Sequence, residues 1–101
     1  MNNGPTTHSL KCWPEWFNLT IARTMEFQVR QYDRPFEAGD MLRLMEYEPN
    51  TGRFTGRVAL CRVWHVVRGL PGLRSDHCVM GIFFEHLETK HTAPPMEMDD
   101  L

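Results

Sequence analysis

Arg30 and Arg34 flank Tyr32 and Asp33 in the run V-R-Q-Y-D-R-P between Val29 and Pro35. A guanidinium grips a phosphate with two parallel N–H donors, or stacks on a base. A tyrosine ring adds a stacking face worth about 1–3 kcal/mol per base. Together these residues read as a nucleotide-binding corner. An Arg30–Asp33 or Arg34–Asp40 ion pair would order the same loop without any ligand. For Arg34, whose D-R-x-F segment ends in a turn, the structural reading is adopted. For Arg30 both readings stay open.

Other groups invite chemical readings that the spacing supports less. Glu46 and Glu48 lie two apart on one strand face. Two carboxylates do acid–base work when burial separates their pKa values. On a barrel they are more simply its solvated side, so no catalytic residue is assigned. Cys61 and His65, four apart, are expected on one strand face, and His77 precedes Cys78. A structural zinc site needs four ligands in tetrahedral reach, and these spacings match no such pattern. Neither a metal nor a cofactor is expected.

The elements that must position these residues follow from pattern. Ser9–Cys12 reads as a short strand. Pro14 suits the first turn of a helix, where its missing N–H is harmless. Trp13, Trp16, Phe17, Thr20 and Ile21 recur at helical spacing, which predicts one apolar face with at least one tryptophan in the core or over it. Met25–Gln31 alternates, so Met25, Phe27 and Val29 are expected inward and Glu26, Gln28 and Arg30 outward. Residues 32–40 form a loop in which Gly39 takes a positive φ. Met41–Glu48 and Arg53–Val67 are strands joined by a hairpin at Asn50-Thr51-Gly52. Gly56 marks a bulge. Gly69–His77 is a surface loop, and Cys78–Glu85 is a central strand.

Composition sets outer limits. The chain has 101 residues, enough for one domain with its own core, and 42% of them are hydrophobic. A net charge of −2 excludes a global positive field. The charge is uneven, however: most basic residues fall between Lys11 and Arg74, whereas Glu97, Asp99 and Asp100 make the end acidic. Nucleic-acid binding would therefore need a local patch. Three cysteines without a C-x-x-C pair suggest reduced, buried thiols in a cytoplasmic protein. No run suggests a membrane span. The expected divisions are a flexible segment 1–7, a barrel domain 8–88 and a disordered acidic tail 89–101.

Read in order, the motifs are L-K-x-x-P-E-x-F from Leu10 to Phe17, then V-R-x-x-D-R-x-F-x-x-G-D-x-L-x-L-x-E-Y-x-P-x-T-G-x-x-T-G-R from Val29 to Arg57. This series resembles the ASCH-like members of the PUA superfamily, in particular their small phage and mobile-element representatives. The resemblance covers about residues 8–85. It implies an α+β fold: a PUA-like mixed β-barrel of five or six strands, with one helix after the first strand. It also implies a cleft with a role toward RNA or nucleotides. In related amidohydrolases of modified nucleosides, a lysine and a threonine on the strand after the helix do the chemistry. Their positions fall on Met25 and Gln28 here, and the arginine of that strand is kept as Arg30. A thioether is neither acid, base nor nucleophile in such a reaction.

The resulting expectation is a small monomeric RNA- or nucleotide-binding domain that uses a cleft between helix and barrel. Trp16, Arg30 and Tyr32 are its first contacts, with Lys11 and Glu46 behind them. The alternative is a phage-type effector that binds a host protein through the Trp-rich helix and acidic tail, inside a bacterial host cell. A third option is hydrolysis of a modified nucleoside by a different residue set.

Overall fold

The computed structural model of the protein describes residues 4–89. The elements run β1 (Thr7–Cys12), α1 (Pro14–Ile21), β2 (Phe27–Gln31), β3 (Met41–Glu48), β4 (Arg53–Arg68) and β5 (His77–Thr89). The strands form one sheet in the order β1-β3-β4-β5-β2. β1 runs parallel to β3, and every other pairing is antiparallel. The sheet curls into a half-barrel whose outer strands are β1 and β2. A small α+β barrel-like architecture with one helix after the first strand is thus present, with five strands and an open seam.

Alternation on β3 explains the core. Leu42, Leu44 and Glu46 point inward, while Met41, Arg43, Met45 and Tyr47 are half-buried outside. The inner face also gathers Leu10, Phe17, Cys61, Val63, Met80 and Ile82. Burying one large aliphatic side chain contributes about 1.5–3 kcal/mol, so this set supplies the main driving force without cross-links. All three cysteines are free and buried.

Turn chemistry matches the sequence at three points. Gly39 has φ 99° and Gly52 has φ 71°, both in the region that L residues avoid. Gly56, at φ 98°, sits in a β4 bulge where the pairing shifts between Met45↔Val58 and Tyr47↔Phe54. The loop after β2 is tied down by Asp40. Its carboxylate accepts from His8 Nε2 at 2.8 Å and from the N–H groups of Glu37 and Thr6. Burial pushes the Asp40 carboxyl up, but these bonds outweigh it and hold its pKa below the usual range.

Several expectations are corrected. Asp40 pairs with His8 rather than Arg34, and Arg34 pairs with Asp33 on the surface. β1 begins at Thr7 and Thr6 is hydrogen-bonded, so order starts ahead of the boundary expected from polar composition. β5 runs on to Thr89 because its outer half pairs with the start of β4. Cys61 and His65 do not share a face. The pairing slips between Val63 and His65, which leaves Cys61 buried and His65 exposed. Trp64 at that slip lays its indole over Gly81, where a β-carbon would come within 2.7 Å of the ring. Residues 90–101, which hold all of the expected acidic tail except Thr89, lie outside the described residues.

Candidate ligand groove

Strand β2 is where the sequence pattern misleads most. Its partner β5 aligns Gln28 with Met80 and Arg30 with Cys78. Directly opposed residues share a sheet face, and Cys78 and Met80 are fully buried. Gln28 and Arg30 therefore turn inward, while Phe27 and Val29, 45% and 47% exposed, turn outward. The alternation was correct, but its phase is set by the register with β5.

The inward turn puts Arg30 at the open seam. Its Nη2 donates to the Lys11 backbone carbonyl on β1 at 2.7 Å, so one side chain spans the gap between the sheet's two outer strands. Its Nε donates to Gln28 Oε1 at 2.9 Å. Neither an Arg30–Asp33 pair nor any other Arg30 ion pair exists among the described residues. Burial lowers the pKa of this guanidinium, and the nearby charge of Arg34 lowers it further against the opposing pull of Cys12 and Asp33. The cation is held in a partly dry place without a direct ion-pair partner among the described residues. Gln28 is only 3% exposed, and its amide N–H groups have no partner among the described residues. Buried donors left open are uncommon in folded proteins.

A groove of about 740 Å³ opens over these two side chains. α1 and the turn after it form one wall, with Trp13, Trp16, Leu19, Thr24 and Met25; Phe27 and Val29 of β2 form another. Cys12 and Lys11 complete the lining from β1. The size suits a drug-sized or nucleotide-sized ligand. Both tryptophans stand at the surface, 49% and 44% exposed, and the helix buries Phe17 and Thr20 instead. Of the two places expected for a tryptophan, in the core or over it, the core is taken by Phe17, and both indoles lie at the groove instead. α1 is held at its C-terminal end by Arg23, which takes φ 61°, donates to the Phe84 carbonyl at 2.7 Å and lies over the Phe83 and Phe84 rings.

The five expected contacts separate. Trp16, Arg30 and Lys11 line the groove. Lys11 holds Arg30 through its carbonyl, while its ammonium lies 4.3 Å from the Tyr47 ring centroid. Tyr32 lies outside the lining, with its ring covered by the Arg68 guanidinium at 3.9 Å. Glu46 is also outside it. Instead of facing solvent, this carboxylate is 4% exposed and locked by Arg57 at 2.9 and 3.0 Å and by Thr55 Oγ1 at 2.6 Å. Arg57 reaches on to Asn18 Oδ1 and covers the Phe17 ring, which ties α1 to the barrel.

Trp13, Phe27, Val29 and Gln28 were not anticipated in the site. The Gln28–Arg30 spacing of two was a usable signal, since two polar residues on one strand face are neighbours. The Cys12 thiol in the lining is pushed up to about 11 by burial, so it stays protonated and a poor nucleophile near neutrality. Among the described residues, no cluster of three His, Cys, Asp or Glu is arranged to hold a metal ion, and no helix is long and apolar enough to cross a membrane.

No curated protein matches the chain. Residues 7–82, which contain both outer strands, α1 and the whole groove, match the family model described as Domain of unknown function (DUF3850). The chain with this indole-lined, arginine-floored groove therefore belongs to the DUF3850 family.

Proposed function

We propose that the protein binds single-stranded RNA or a nucleotide in the groove between α1 and the half-barrel. One observation carries this reading: two exposed indoles stand beside a half-buried guanidinium and a buried amide that both have donors to spare. Indoles supply stacking surfaces, and a base or phosphate supplies the acceptors. The mechanism is stacking plus charge-assisted hydrogen bonding. No reaction is needed, and the lining favours none: it holds no carboxylate or imidazole, Met25 is inert, and the Cys12 thiol is protonated. The ordered motifs from Leu10 to Arg57 support placing the fold with the ASCH-like PUA domains, and a cytoplasmic site of action fits buried, reduced thiols.

A second reading, a protein partner, is favoured by the outer face of β5 and its neighbours. Phe83 and Trp64 are 53% and 63% exposed there. Titration of labelled single-stranded RNA at two salt concentrations separates the two readings. Binding that weakens with salt and is lost in Trp16→Ala supports the groove. Absence of binding at low salt sinks it.

A further inference from the structure

Building on the nucleotide reading, we infer that the groove selects guanine, by the acceptor edge that carries O6 and N7. The open hydrogen-bonding groups of the two floor side chains, Arg30 and Gln28, are mainly donors. Arg30 has five N–H groups, of which two are used, on Gln28 and on the Lys11 carbonyl. An arginine cannot accept, so the Gln28 atom facing it is the oxygen. The orientation of the buried amide follows: both of its N–H groups remain without a partner among the described residues. No carboxylate lines the groove, and the Lys11 carbonyl is already engaged.

A base edge that brings its own donor would leave donors facing donors. Adenine pairs N7 with its N6 amino group, and cytosine carries its N4 amino group beside N3. Guanine presents O6 and N7 side by side with no donor between them. Its two fused rings also suit the aromatic walls set by Trp13 and Trp16 better than a single ring does. A site built to hydrogen-bond particular groups rejects ligands that lack them, because its own buried groups are then left unpaired.

The test uses the intact, unsubstituted chain and five-nucleotide RNAs, uridine throughout except for the central base. The central guanosine should bind about tenfold or more tighter than central adenosine or cytidine. Inosine, which keeps O6 and N7, should bind like guanosine. The 7-deazaguanosine oligomer, which loses only the N7 acceptor, should fall toward adenosine. Gln28→Glu, which replaces the open donors with an acceptor facing Arg30, should erase the preference. Equal affinity for guanosine and adenosine, a preference for cytidine, or full affinity for 7-deazaguanosine overturns the inference and leaves nucleic-acid binding standing. If none of the oligomers binds, the nucleotide reading itself is wrong, and this inference goes with it.

Discussion

Replacing Arg57 with alanine should be strongly destabilising, and in a way that depends on pH. The change removes two bonds to Glu46 and one to Asn18, as well as the cation over Phe17. What remains is a carboxylate whose side chain is 5% exposed, with only the Thr55 hydroxyl to satisfy it. Stranding one member of a fully buried pair costs about 3–5 kcal/mol. Arg57 is itself a third exposed, so screening reduces the expected loss to about 2–3 kcal/mol at neutral pH. For a domain this size that is roughly 10–20 °C in Tm. In the parent, burial pushes the Glu46 carboxyl up, but the bonds from Arg57 and Thr55 outweigh it and its pKa is lowered. A lowered folded-state pKa gives stability that is present above the unfolded carboxylate value and lost as pH falls through the folded one. Without Arg57, burial is opposed only by Thr55 and the folded pKa rises. The gap between parent and variant should then narrow as pH drops from 7 toward 4. Urea unfolding across that range reads both effects. A loss under about 0.5 kcal/mol, the size of an ordinary surface change, or a gap that does not vary with pH would refute the reasoning.

Three further outcomes can be checked on the same preparations. Gly39→Ala forces a side chain into φ 99° with open space around it, so backbone strain alone should lower stability by about 1 kcal/mol or more in urea melts. Gly81→Ala should displace the Trp64 indole, shift its fluorescence and destabilise mildly; adding Trp64→Ala should remove most of that penalty, because the clash is with that ring alone among the nearest atoms. The Cys12 thiol, pushed up to about 11, should resist alkylation in the native chain at pH 7.5 and react promptly in urea, as followed by mass spectrometry.

How far the sequence could be read depended on whether neighbours within an element or partners across the sheet decided the outcome. The hairpin at Gly52, the bulge at Gly56 and the helix opening at Pro14 were legible because each rests on one residue's own backbone preference, free φ for glycine and fixed φ for proline. The phase of β2 was not. Phe27 and Val29 look like core residues until the register with Met80 and Cys78 turns them out. Glu46 looked solvated for the same reason, since its partner Arg57 lies eleven residues away across a bulge. Arg30 and Trp16, singled out by their chemistry, both line the groove, and Arg30 also closes the seam to β1. Tyr32 was drawn in by its proximity in sequence to Arg30, but Arg68 occupies its ring face.

The most direct test of groove binding is titration of labelled single-stranded RNA against the parent and Trp16→Ala at low salt, with thermal melts of both. Trp16 is 44% exposed and lines the groove, so its removal should leave Tm nearly unchanged and weaken binding about tenfold, the loss of one base-stacking contact. RNA binding that is equally tight in Trp16→Ala, or no RNA binding by the parent, would contradict the account.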